Sequence, residues 1–203
     1  VKPVNSKGDI MTTSQAGSNL RMRQLFDQDT WTHTYLLYDA ETLEGAIIDP
    51  VKEKVERDLN LLKELGINLK YVLETHVHAD HITSSGQIRD KFGSKVVLHE
   101  NSGAKCADML LKDGDELTLG DIVIKAIHTP GHTNADLSFL VEDYIFTGDA
   151  LLVRDCGRTD FQAGSSSTLY NSINEKIFSL DDKTTIYPGH DYYGFTASTV
   201  KEE

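Results

Sequence analysis

Apolar and polar positions along this chain fall into short, sharply bounded runs, and the runs change period as the chain proceeds. "WTHTYLLYD" is β-branched and aromatic, and "GAIIDP" is a short apolar run halted by Asp49–Pro50; both predict strands. Val55, Leu59, Leu62 and Leu65 then recur at helical spacing, with Gly66 placed to end the helix. "YVLE" predicts a strand, Ile82 to Phe92 a second helix closed by Gly93, and "KVVLH" another strand. Beyond these, "ELTL", "DIVIKAIH", "DLSFLV" and "YIFTG" predict further strands, the first of them following the turn at Asp113–Gly114. Ser165–Ser167 are suited to cap a helix carrying Leu169, Ile173 and Ile177, and "TTIY" is the last predicted strand. Two groups of strands, each interleaved with helices, predict a layered α/β fold of two sheets with helices outside; periodicity alone leaves the layer order open. Ahead of Leu20, "SKGDIMTTSQAGSN" is polar and aperiodic. Residues 1–19 read as a flexible arm, with 1–10 a leader or an expression-derived extension, and residues 20–203 as one domain.

Composition narrows the chemistry. Of 203 residues, 39% are hydrophobic and 26% charged, which is enough for a core and too apolar for wholesale disorder. The formal net charge of −12 repels phosphate backbones and anionic lipid, so nucleic acid and membrane surfaces are excluded as partners, and an anionic substrate needs a local basic cluster. No apolar run approaches the roughly 18 residues that span a bilayer, and no apolar signal segment stands at the N-terminus. Two cysteines, Cys106 and Cys156, are too few for a disulfide framework and point to a reducing compartment: a bacterial cytoplasm or a mitochondrial matrix.

The candidate chemistry sits at strand ends. "YVLET" runs into His76, "IVIKAIHTPG" into His132, "YIFTG" into Asp149 and "TTIYPG" into His190. Strand ends on a rigid sheet aim several side chains at one point, and Gly131, Gly148 and Gly189, each just before a candidate ligand, allow close approach. The stretch "THVHADH" adds His78, Asp80 and His81. A lone histidine at a strand end is usually packed or solvated. Five of the eight histidines in three such segments, with Asp149 in a fourth, are better explained by a metal, and imidazole with carboxylate suits Zn, Fe(II) or Mn(II) without choosing among them. His33, His99 and His128 have no such partners and read as packing residues.

"THVHADH", "HTPGHT", "TGD" and "YPGH", in this order, resemble the metallo-β-lactamase superfamily, and the resemblance implies an αββα four-layer sandwich of two mixed sheets flanked by helices, with the metal site between the sheets. "GDALLVRDCGRTDFQ", "LYNSINEKIFSL" and "YPGHDYYGFTASTV" are similar to its persulfide dioxygenase (ETHE1-like) branch. That branch implies one Fe(II) per chain, with Zn as a substitute, and the oxidation of glutathione persulfide by O2 to sulfite and glutathione, a step of sulfide detoxification. Carried over, the iron ligands are His76, His132 and Asp149. His78, Asp80, His81 and His190 surround them or supply a second metal site.

All seven residues of a two-metal site are present, so a dinuclear-zinc hydrolase of the glyoxalase II kind, acting on S-acyl glutathione thioesters, is the alternative. Only thirteen residues of the 203 follow His190, which leaves no room for the helical substrate domain of that family. A third reading, a degenerate member binding metal for stability or sensing, conflicts with the intact ligand set.

For the anionic substrate, Arg158 in "CGRTDF" is the leading candidate, with the alternative that it pairs with Asp155 or Asp160 and braces its loop. Tyr192, Thr133 and Arg154 are further substrate-side candidates, and Asp191 orients a neighbour. Cys156 is a spectator and Cys106 a small apolar filler. Against the family the chain stops early, at "STVKEE", which leaves coenzyme A persulfide as another carrier and a fusion to a sulfurtransferase as another context. The resemblance also admits a homodimer and a separate sulfurtransferase (rhodanese) partner.

Overall fold

The structure, a computed structural model, describes residues 10–12 and 18–203. The chain divides into two compact units: one runs to Leu73 and adds His78–Val96 and Thr118–Ile122, and the other comprises Glu74–Val77, Val97–Leu117 and Val123–Glu203. Seven strands form one sheet, in sequence order: β1 (Ile10–Thr12), β2 (Leu20–Asp27), β3 (Thr32–Asp39), β4 (Glu44–Ile48), β5 (Asn68–Leu73), β6 (Lys95–His99) and β7 (Met109–Leu111). Six strands form the other, β8 (Glu116–Leu119), β9 (Ile122–His128), β10 (Leu137–Val141), β11 (Tyr144–Gly148), β12 (Thr185–Pro188) and β13 (Ser198–Thr199), also neighbours in sequence order. Both sheets are mixed: β4 pairs with β5 and β11 with β12 in parallel, whereas β2–β3, β3–β4, β9–β10 and β10–β11 are antiparallel. The helices are α1 (Val55–Glu64), α2 (Ser85–Phe92) and α3 (Ser166–Ser172). Among the described residues no helix is long and apolar enough to cross a membrane.

β3 explains its own sequence. All eight residues of "THTYLLYD" are buried, and the strand lies between β2 and β4, so β-branched and aromatic side chains serve both faces. β9 alternates: Ile122, Ile124 and Ala126 are buried while Val123 and Lys125 are exposed. α1 buries Leu59 and Leu62, and Gly66 adopts a left-handed φ just past its end. Ser165 caps α3, its hydroxyl accepting from the Thr168 N–H at 3.3 Å, and the helix widens into a π turn over Ile173–Ile177. Leu169 and Ile177 thereby join Ile145, Leu151 and Ile186 in the core beneath β11 and β12.

The structure corrects several boundaries. The helix expected from Ile82 starts at Ser85, because the Ile82 carbonyl accepts the Lys52 N–H and the Ser84 N–H donates to the Pro50 carbonyl, both at 2.9 Å, drawing 82–84 into extended pairing instead. β2 was not expected, since Arg21, Arg23 and Gln24 hide its alternation; Gln24 is in fact buried. β7 and β13 are too short to carry a period. Within the expected arm, the backbone of Ile10–Thr12 pairs with β2; the remainder of residues 1–17 lies outside the described residues.

Candidate metal centre

His76, His132, Asp149 and His190, the first group of ligand-type residues, lie within one unit. His76 lies three residues past β5, and Asp149 follows β11 directly. His190 lies two residues past β12, the parallel neighbour of β11, so Asp149 and His190 emerge at the same sheet edge. His132 occupies the loop between β9 and β10. One ligand atom from each of His76, His132 and Asp149 lies within 4.8 Å of the others. The Nε2 atoms of His76 and His132 stand 4.0 and 3.7 Å from Asp149 Oδ2, and the two imidazoles meet edge-on with centroids 4.9 Å apart.

Neighbouring groups set the orientation of each ring. His132 Nδ1 lies 2.7 Å from the Arg158 carbonyl, which accepts only, so Nδ1 donates and Nε2 is turned towards Asp149 Oδ2. Thr75 Oγ1 and His76 Nδ1 share a 3.0 Å hydrogen bond, and the Thr75 carbonyl accepts the Leu137 N–H at 2.7 Å. His190 Nδ1 lies 2.6 Å from Asp149 Oδ1, leaving Oδ2 turned towards the other two histidines. Burial pushes the Asp149 carboxyl up, but His190, together with His76 and His132, outweighs burial and holds it well below the usual carboxylate range. The approach is close enough to demand glycine: a Cβ on Gly189 would stand 2.7 Å from Asp149 Oδ1, and one on Gly148, whose φ is +52°, would stand 2.6 Å from Thr75 Cβ.

Asp136 is a functional residue that the sequence pattern did not single out. It is buried and accepts the Thr133 N–H at 2.7 Å and the Thr133 hydroxyl at 2.5 Å, clasping the loop that carries His132. Burial raises its carboxyl to about 6, against the lowering effect of the two Thr133 hydrogen bonds.

The second group belongs to the other unit. One ligand atom from each of His78, Asp80 and His81 again lies within 4.8 Å of the others, with His81 Nδ1 2.7 Å from Asp80 Oδ2. His78 Nε2 is 3.2 Å from Asp49 Oδ1. Asp49 is a further residue missed from sequence: it is buried, has a φ of +49°, and ends β4 in the same strand-end form as the other four, which is the signal that could have found it. His190, expected around the three ligands or in a second site, bonds Asp149.

The substrate-side candidates separate. The Arg158 guanidinium holds Asp160 with two bonds of 2.8 and 2.9 Å, the bracing alternative, and lies 5.9 Å from the Phe161 ring centroid. Thr133 is buried, and its hydroxyl donates to Asp136. The Arg154 N–H donates to Glu203 Oε2 at 2.8 Å. Tyr192 is half exposed and lies parallel to His190, ring centroids 6.0 Å apart; both line a shallow cleft with Leu152, Val153 and Asp191. Asp191 accepts the N–H groups of Tyr193 and Gly194 and so shapes the turn after His190. Burial, then Asp155, raise the Cys156 thiol, which suits a spectator. Cys106 is exposed rather than an apolar filler, because it lies in the irregular stretch after β6. Of the three remaining histidines, His99 and His128 stack at 3.8 Å, and His33 is buried beside Phe26.

Two imidazoles and a carboxylate with a preset tautomer form a metal-binding arrangement. Comparison with known proteins agrees. The family model of the metallo-β-lactamase superfamily matches residues 42–190. The human mitochondrial persulfide dioxygenase ETHE1 is 49% identical over 93% of this chain and 75% of its own length. A solved structure of ETHE1 from Myxococcus xanthus, also 49% identical, superposes with a TM-score of 0.87 over 89% of this chain and 80% of that one. A probable hydroxyacylglutathione hydrolase of Schizosaccharomyces pombe is more distant, at 35% identity over 83% of this chain and 66% of its own. The chain therefore belongs to the metallo-β-lactamase superfamily, in its ETHE1-like persulfide dioxygenase branch.

Proposed function

We propose that this chain is a persulfide dioxygenase that holds one Fe(II) on His76, His132 and Asp149 and oxidises the outer sulfur of glutathione persulfide. The observation that carries the reading is the three-residue face: two Nε2 atoms 4.0 and 3.7 Å from one carboxylate oxygen, in a chain 49% identical to a persulfide dioxygenase. Overall, persulfide, O2 and water give thiol, sulfite and two protons: the outer sulfur loses four electrons to O2, and the sulfur–sulfur bond breaks with the thiol as leaving group. His76, His132 and Asp149 would hold the Fe(II), and the metal would supply the redox capacity that the reaction of persulfide with O2 needs.

The chain's own residues do the rest. The Arg158 carbonyl and the Thr75 hydroxyl fix the rings of His132 and His76. His190 keeps Asp149 Oδ1 occupied, so that Oδ2 is the ligand atom, and it is the group placed to take up a proton next to that carboxylate. Tyr192 offers a phenol at the mouth of the cleft for the peptide of the substrate. The acidic chain meets its anionic substrate by local donors, and Arg158 acts through its carbonyl and its ion pair with Asp160.

The test is a paired assay. Apo-protein loaded anaerobically with Fe(II) should consume O2 on addition of glutathione persulfide, the zinc form should not, and neither should hydrolyse S-lactoylglutathione at a comparable rate. Hydrolysis by the zinc form with no uptake by the iron form would replace this reading with the thioesterase.

A further inference from the structure

The loop after β11 touches both histidine-bearing segments of the candidate metal centre. On one side, the Arg158 carbonyl accepts from His132 Nδ1 and Gly157 lies so close that a Cβ there would stand 2.8 Å from the same nitrogen. On the other side, the Gln162 carboxamide donates from Nε2 to the Val77 carbonyl at 2.9 Å, one residue beyond His76. Gln162 and its neighbour Ala163 both have left-handed backbones, with φ of 47° and 59°. Two consecutive non-glycine residues in that region cost free energy and persist only where surrounding contacts fix them. Turn bonds do part of this, since the Gly164 N–H donates to the Phe161 carbonyl at 2.8 Å and the Ser165 N–H to the Gly131 carbonyl at 2.8 Å. Neither bond reaches the His76 segment. The Gln162 side chain does, across 85 residues of sequence.

We propose that Gln162 is a positioning residue: its amide ties the Arg158–Gly164 loop to the Val77 carbonyl, and so sets the distance between the His76 and His132 imidazoles. The chemistry asks for a donor of that length. Val77 O is an acceptor, so glutamate would place a second acceptor against it, and methionine would fill the same space with nothing to donate. Lysine restores a donor on a stem long enough to reach. The inference rests on the metal-centre part of the reading above, not on the dioxygenase chemistry.

The experiment measures Fe(II) affinity by competition with a chromophoric chelator, and the visible spectrum of the Co(II)-substituted protein, for wild type, Gln162→Met and Gln162→Lys. Melting of the metal-free proteins checks that each folds. The expected result is Fe(II) affinity about tenfold weaker for Gln162→Met, in the range that outer partners of metal ligands command, with a shifted Co(II) spectrum and near wild-type values for Gln162→Lys. Wild-type affinity and spectrum in Gln162→Met would overturn the proposal, as would equal weakening in both variants, which would make side-chain packing rather than the donor responsible. Because the readouts are binding and spectrum, they stand whether or not the iron protein consumes O2.

Discussion

At the scale of single residues, the candidate centre depends on which atom of each side chain is left pointing inward. Asp149 is the pivot, since one carboxylate oxygen meets His190 and the other meets His76 and His132. Asp149→Ala, His76→Ala and His132→Ala should each lower Fe(II) affinity by more than about a hundredfold, beyond what loss of an outer partner costs, measured by metal content after dialysis against a chelator. His190→Ala should be milder, about tenfold in affinity, because Asp149 keeps its place and loses only its partner. Asp136 acts one step further out. Asp136→Ala strands the Thr133 amide and hydroxyl, so a loss of about 2 kcal/mol of stability in denaturant unfolding is expected, with weaker metal binding as the His132 loop loosens.

At the scale of elements, the strand ends were legible because the chemistry recurs in one form, a short apolar run, a glycine and a ligand. That pattern led to His132, Asp149 and His190 from sequence. Loops without a period were not legible. Nothing in "RTDFQAG" says that its backbone carbonyl would hold His132, or that Gln162 would reach across 85 residues to Val77. The same limit explains Ile82, whose helical spacing continues that of α2 but whose carbonyl is claimed by Lys52. Glycine before a ligand was readable as a need for space, and the structure supplies the distances. Gly189→Ala would put a methyl 2.7 Å from Asp149 Oδ1, so metal affinity should fall with little change in secondary structure by circular dichroism.

At the scale of the whole molecule, the acidic balance and the stability profile matter more than any one contact. His99 is buried and stacked on His128, and burial followed by the charge of His128 lowers it to about 4. Glu100 and Asp113 pull the other way, and Lys176 adds to the lowering. The folded pKa lies below the unfolded value of about 6.5, so the unfolded chain binds the proton first. This contribution to stability is present above about pH 6.5 and is lost as pH falls towards about 4; from pH 7 to pH 5 the loss should be on the order of 1–2 kcal/mol. His99→Asn keeps an acceptor for the Asn101 N–H and does not titrate, so its unfolding free energy should depend less on pH over that window.

The central claim concerns what reacts at the three-residue face, and the stoichiometry of the reaction tests it most directly. With Fe(II)-loaded protein and glutathione persulfide in excess, O2 consumed and sulfite formed should rise together in a ratio of about one to one, with iron bound at about one per chain, and the zinc-loaded protein should show neither. Sulfite absent while O2 disappears, or persulfide consumed without O2, would contradict the account.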